Sequence, residues 1–361
     1  MPMKLEDQVL ALAGAVQPVD QEAEAAARER HERLTKPSGS LGRLEALGVR
    51  LAGIAGRCPP PVPARPALVV AAGDHGVLAQ GVSPWPKEVT AAMVAGIAGG
   101  TAAASVLARV VGAQLVVLDV GVATPLAPHP RVRRANVRPG TADLAAEPAM
   151  TREEAARALL AGAKLADELL EAGADLLLTG DMGIANTTPA ACLAAAFTGR
   201  PAAVVTGRGT GIDDATLQRK IAVVEGALAL HTPDPADPLG TLAAVGGLEH
   251  AALAGVCLAG AAQRVPVLLD GVSANAAALV ACALAPAATG YLVAGHRSTE
   301  PAASAALDHL GLDPLLQLDL RLGEGTGALL ATPIVRGAAA VLAEMATFDD
   351  AGIATPEAEP G

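Results

Sequence analysis

From residue 67 onward, short apolar runs that end at glycine alternate with longer Ala-rich stretches. Seven runs stand out: ALVVAAG (67–73), QLVVLDVG (114–121), ADLLLTG (174–180), AAVVTG (202–207), VPVLLDG (265–271), YLVAG (291–295) and LLQLDLRLG (315–323). Runs that are apolar at consecutive positions mark strands covered on both faces. They predict an α/β fold, a Rossmann-like, mainly parallel sheet flanked by helices. Between the runs, Thr151 and Glu154 form a capping box that opens a helix reaching about Glu171.

The chain before residue 67 follows a different pattern. Residues 20–34 are charged and Ala-rich and read as an exposed helix; Leu41 to Ala55 reads as a second, after a turn at Pro37 to Ser40. The stretch CPPPVPARP, Cys58 to Pro66, cannot continue a helix and stiffens a linker. A smaller helical subdomain is therefore expected over 1–57, joined by 337–361, with the α/β domain over 58–336. The last helix is expected from about Ala328 to Met345, followed by a frayed tail.

Composition narrows the function. Hydrophobic residues make up 52% of the 361 positions but include one Trp, one Tyr and two Phe, so Ala, Val and Leu must build the core. A stacking surface for single-stranded nucleic acid is not expected from so few rings. Lys plus Arg number 26 against 37 Asp plus Glu, a net charge of −11 that repels polyphosphate backbones and anionic membranes. A phosphate on a substrate must then be held by local donors. Cys58, Cys192, Cys257 and Cys282 are widely spaced and form no zinc or disulfide pattern, which fits a reducing cytoplasm. The N-terminal 30 residues lack the cationic start and cleavage pattern of a signal peptide. Residues 271–295 carry no charge over a length that could cross a membrane. Asn275, Pro286 and the Ala-rich context predict a buried helix and then a buried strand instead.

Chemistry gathers in the loops after the predicted strands: Gly73 to Val77, Gly180 to Thr188, Gly207 to Asp214, Gly295 to Glu300 and Gly323 to Gly327. In a parallel sheet these meet at the carboxyl edge, where ligands bind. Glycine loops that enter helices expose backbone N–H groups and, with hydroxyls, can cradle a phosphate; Gly183 to Thr188, Gly207 to Gly211 and His296 to Ser298 have that character. Each alone is no more than a tight turn. Neither a Walker A sequence nor GxGxxG is present, so a monophosphate is the better match. Asp181 and Glu324 stand among the glycines, placed for general-base work or for bracing a loop. Lys220 reads either as a phosphate contact or as part of a solvated helix face. His75 reads as a structural histidine, without partners spaced for a metal. Trp85, between two prolines, is either a flat apolar plate or a core residue.

Seven segments in order, KPSGSLGRLE (36–45), AAGDHGV (71–77), GVSPWPKEVT (81–90), GDMGIANTT (180–188), GRGTGIDD (207–214), GHRSTEPA (295–302) and LRLGEGTGA (320–328), make the chain resemble the nicotinate-nucleotide:dimethylbenzimidazole phosphoribosyltransferase family of cobalamin lower-ligand synthesis. The resemblance spans about Lys36 to Arg336. It implies transfer of phosphoribose from nicotinate mononucleotide to dimethylbenzimidazole with inversion at C1′, without cofactor or metal, in a homodimer whose partners are small molecules. It also implies Glu324 as general base, assisted by Asp181. Gly183, Asn186, Thr187, Arg208, Gly209, Thr210, Gly211, Lys220, Arg297 and Ser298 would lie at the nucleotide and its phosphate; Ser83, Trp85, Met93, Met182 and Leu322 would lie at the base. Three positions depart from the family's pattern: Asp181 for a usual Glu, Ala185 for a usual Gly, and Trp85 for a commoner Tyr. The Ala185 exchange is expected to leave the loop geometry intact. Alternatives are another acceptor (a different benzimidazole, a purine or a phenol), a Mg²⁺-dependent enzyme using diphosphate-activated ribose, and a non-catalytic nucleotide sensor.

Overall fold

The computed structural model describes residues 3–354. In chain order the helices are α1 (Leu5–Ala15), α2 (Gln21–Arg33), α3 (Arg43–Ala55), α4 (Glu88–Gly99), α5 (Ala103–Val111), α6 (Arg152–Glu171), α7 (Thr187–Thr198), α8 (Ala202–Val205) and α9 (Asp214–His231). They continue with α10 (Pro238–Val245), α11 (Leu248–Ala262), α12 (Val272–Leu284), α13 (Pro301–Leu310), α14 (Thr326–Glu344) and α15 (Phe348–Ala351). The strands are β1 (Pro66–Gly73), β2 (Gln114–Gly121), β3 (Val132–Arg134), β4 (Leu176–Met182), β5 (Val267–Leu269) and β6 (Leu292–Ala294).

The six strands form one sheet in the order β3-β2-β1-β4-β5-β6, with every pairing parallel. All eight residues of β1 are buried, as strands covered on both faces must be. The chain winds outward from β1 in one direction and returns from β4 in the other, so the order reverses between β1 and β4. That reversal opens a crevice at the carboxyl edge. The Ala-rich core permits close helix contacts: α6 crosses α11 where Gly162 meets the Ala252 carbonyl and Gly255 meets the Leu159 carbonyl, with no space for a side chain at either position. The 271–295 segment is helix α12, too short to span a membrane, followed by a 3₁₀ turn and the buried β6. The capping box at Thr151 and Glu154 is formed.

Two of the seven expected strands are not strands. Ala202–Val205 is one helical turn, because Pro201 enters it and Ala202 and Val205 pack inward on one face. Residues 315–323 stay out of the ladder. Leu316 makes a single bridge to His296, Asp319 takes a left-handed φ of 53°, and Leu318 and Leu322 are more than half exposed. Conversely, the short edge strand β3 has no apolar run to announce it.

By contacts the chain forms two compact units, Met1–Gln17 with Arg65–Thr332, and Pro18–Ala64 with the chain from Pro333 onward. This differs from the expected boundary at both ends. Helix α1 buries Val9 and Ala13 and packs on α6 and α11 of the sheet unit. The proline stretch belongs with the small unit, where Arg336 donates to the carbonyls of Pro63 (2.9 Å) and Ala64 (3.1 Å). The core of the small unit gathers Ala27, Val49, Ala52 and Leu342, with Cys58 against them.

Candidate active site

A cleft of about 790 Å³, including its solvent-open part, lies at the carboxyl edge of the sheet. Its wall is made by the turn between β4 and α7, the 207–212 loop, the exits of β5 and β6, and residues 321–323, with Val82 and Ser83 at one side. The 207–212 and 321–323 segments reach it although neither follows a strand.

One side of the cleft is polar. Lys220 is 1% exposed, so the reading of a solvated helix face is corrected: the first turns of α9 turn its ammonium inward, where it donates to Thr187 Oγ1 (2.7 Å) and the Gly207 carbonyl (3.0 Å). Burial pulls its pKa down to about 8. Gly209 is held at both polar groups: its N–H donates to Glu300 Oε1 (2.7 Å) and its carbonyl accepts from Arg321 (3.1 Å). Ser298 is buried, and its Oγ accepts from the Glu300 N–H (3.3 Å). Thr187, Arg208 and Thr210 complete this wall; the Arg208 guanidinium bonds Asp214 and the Ile212 carbonyl.

Two buried carboxylates stand on adjoining backbone there, Asp181 in the cleft wall and Glu324 directly after the lining residue Gly323. Asp181, near the end of β4, is buried, and its pKa is raised to about 7 by burial and then by the negative charge of Asp270, against a hydrogen bond of 2.6 Å from Asn186. Glu324 is 3% exposed and is tied to Asp181 through the backbone, its N–H donating to the Asp181 carbonyl (3.2 Å). Its Oε2 accepts from the Ala104 N–H (3.4 Å) at the start of α5, and burial raises its pKa too. Such carboxyls hold a proton more readily than exposed ones, as a general base acting near neutral pH requires.

Asp270 and Glu300 carry much of this geometry and were not singled out from the sequence. Asp270 follows β5 and is fully buried. It accepts from the N–H groups of Gly325 (2.9 Å), Gly327 (2.7 Å) and Ala328 (3.4 Å), fixing the loop that bears Glu324. The signal was present, since VPVLLDG repeats the apolar-run-then-Asp pattern of β4. Ala185 brings a correction: its φ of 72° is left-handed, so a Cβ at this position is strained and the turn does not take Ala as an ordinary helix entry would.

Not every expected residue reaches the cleft wall. Ser83, Met182, Gly183, Asn186 and Leu322 do. Trp85 is half exposed, with its backbone N–H directed to Ser83 Oγ (3.3 Å), while Met93 on α4, Gly211 and the Glu324 side chain, turned to the Ala104 N–H, stand off the wall. Arg297 turns to Ser304 Oγ (3.1 Å) and Asp308 on α13.

The phosphoribosyltransferase family DBI_PRT has a sequence model that matches residues 16–353. A nicotinate-nucleotide–dimethylbenzimidazole phosphoribosyltransferase of Salinispora tropica is 60% identical over 354 residues, covering 94% of this chain and 97% of that one. The enzyme of the same name from Chloroflexus aggregans is 56% identical over 336 residues, covering 93% and 95%. The crystal structure of CobT from Thermus thermophilus superposes with a TM-score of 0.89 at 49% identity, covering 93% of this chain and all of that one. With a parallel sheet, a cleft at its switch point and matches over nearly the whole length, the chain belongs to the DBI_PRT phosphoribosyltransferase family.

Proposed function

We propose that the protein transfers the 5-phosphoribosyl group of nicotinate mononucleotide to 5,6-dimethylbenzimidazole with inversion at C1′, giving α-ribazole 5′-phosphate and nicotinate for the nucleotide loop of cobalamin. The observation that carries this reading is the pairing, in one cleft, of a polar wall suited to a phosphate with the buried Asp181 of raised pKa, Glu324 following directly on the lining residue Gly323. The Lys220 ammonium and the Thr210 and Ser298 hydroxyls hold the phosphate. Because Glu300 already occupies the Gly209 N–H, that amide contributes less than a bare glycine loop would.

Nicotinate linked through its ring nitrogen is a cationic leaving group and departs as the neutral pyridine nitrogen, without a proton. The lone-pair nitrogen of the benzimidazole attacks C1′ from the opposite face, and the other ring N–H becomes acidic as the bond forms. Glu324 takes that proton, a role worth roughly 10²- to 10⁴-fold in rate. Asp181 assists. Further acceleration comes from alignment, with the phosphate anchored at one end of the cleft and the base held against Ser83, Met182 and Leu322 at the other.

A second reading, a different acceptor base, is favoured by the openness of that acceptor side, where Trp85 is 49% and Leu322 57% exposed. Incubation with nicotinate mononucleotide and a panel of benzimidazoles, purines and phenols, with products identified by mass and anomeric configuration, decides both. No α-linked product from any base would reject the transferase reading. The protein acts in the cytoplasm, as a homodimer, on small molecules and not on nucleic acid or membranes; sedimentation tests the dimer.

A further inference from the structure

Beneath the turn between β4 and α7 lies a buried cluster that the proposed reaction does not use. His75, just past β1, and Glu249 and His250, in the first turn of α11, have side chains with no solvent exposure. Glu249 Oε1 lies 3.0 Å from His75 Nε2 and 2.9 Å from His250 Nδ1. The turn passes close over β1 and over His75. A Cβ at Gly183 would strike the Gly73 carbonyl and come within 3.1 Å of His75 Nε2. The φ of Gly183 is not left-handed, so glycine stands there for close approach and not for backbone freedom. On its other side the turn is held by Thr90, whose Oγ1 accepts from the Ile184 N–H (3.1 Å).

We propose that His75 is a positioning residue: clamped by Glu249, its imidazole is the seat that sets the β4–α7 turn and with it Met182, Asn186 and Thr187 in the cleft. This rests on the transferase reading above. Burying a carboxylate with two imidazoles is a poor way to gain stability, because apolar side chains of the same volume commonly serve as well or better. What the cluster gives instead is a ring fixed in place by a charged partner. Burial works against charge on His75, but Glu249, then Asp74 and Asp181, favour it and carry its pKa upward; the two histidines pull that of Glu249 down. Ionised, the pair holds by charge at 3.0 Å, and a Cβ on the turn above it would come within 3.1 Å of the same ring nitrogen.

The test compares His75→Phe, which keeps a ring without its N–H groups, with His75→Gln, whose amide can still donate to Glu249. Hydrogen–deuterium exchange of amides 183–188 is read beside kcat with nicotinate mononucleotide and dimethylbenzimidazole. Expected are faster exchange confined to those amides and a fall in kcat of about tenfold or more in His75→Phe, as small misplacements give, with both partly restored in His75→Gln. Exchange at 183–188 like the parent's in a folded His75→Phe overturns the proposal. So does faster exchange spread evenly over β1, β4 and α11 that Gln does not reverse, since that is general destabilisation. If the parent itself forms no product, the transferase reading fails, and the exchange comparison still decides whether His75 seats the turn.

Discussion

Asp181 and Glu324 reach raised pKa values by unequal routes, and that separates their roles. Both are pushed up first by burial; at Asp181 the negative charge of Asp270 comes next and it arrives at about 7, whereas at Glu324 the Ala104 N–H works against the rise before Asp270 adds to it. The ionised form is the base, so activity carried by either group rises as pH climbs through its raised pKa and levels above it. Glu324→Gln is expected to keep nucleotide binding while kcat falls by roughly 10²- to 10⁴-fold. The residual turnover should rise with pH through about 7 as Asp181 ionises. A pH–rate profile of the variant checks this, and turnover within about threefold of the parent, far short of a general-base factor, would remove Glu324 from the role. Ala185 bears on stability. With its Cβ at a left-handed φ of 72°, Ala185→Gly should relieve strain of about 1 kcal/mol, seen as a higher denaturation midpoint. An unchanged or lower midpoint would mean the turn absorbs the Cβ without strain.

At the scale of elements, the loop between residue 323 and α14 is three consecutive left-handed residues, Gly323, Glu324 and Gly325, with φ of 83°, 62° and 88°. Glu324 there is strained, and strain persists at a site only where its surroundings enforce it. Asp270 is that enforcement. One carboxylate oxygen takes Gly325 and the other takes Gly327 and Ala328, at the positive end of α14. Asp270→Asn can supply only one acceptor oxygen and would turn an NH₂ toward one of these amides. We expect kcat to drop about tenfold or more through misplacement of Glu324, with stability down by about 1–3 kcal/mol from the unpaired buried N–H. A variant with parental kcat would show that the loop holds its own shape. The sequence made much of this architecture legible. Strands β1 and β2 could be read because their apolar runs are strand-length, rich in Val and Leu and end at glycine, as a doubly covered strand does. The AAVV run could not, since four apolar residues after a proline fit a helical turn as well as a strand; LLQLDLRLG alternates from Leu316 to Leu322 rather than running apolar, and the left-handed Asp319 in its middle keeps it out of the ladder. At the site, the glycine loops and the two carboxylates among them stood out in the sequence, while the roles proposed for Asp181 and Glu324 came from the resemblance. The inward course of Lys220 depends on how α9 packs, and the grip of Asp270 and Glu300 on backbone amides exists only once distant loops meet.

Taken as a whole molecule, the protein carries a net charge of −11 and binds, on the reading above, a nucleotide that is itself anionic. The overall field therefore slows the approach of the substrate, whereas Lys220, 1% exposed and bonded within the cleft, attracts it only at close range. Salt acts on these two terms unequally. The Debye length shrinks from about 30 Å at 0.01 M to about 10 Å at 0.1 M, so the long-range repulsion is screened while the buried ammonium is little affected. Raising ionic strength over that range should increase kcat/KM for nicotinate mononucleotide, by roughly twofold, and leave kcat unchanged. For an uncharged acceptor such as dimethylbenzimidazole the same change should have no effect on KM, which makes the acceptor an internal control. Steady-state kinetics at fixed pH with an inert 1:1 salt measures both. If kcat/KM for the nucleotide falls as salt rises, the attraction is carried by exposed cations at the mouth of the cleft, Arg208 among them, and the phosphate is not held chiefly by the buried donors.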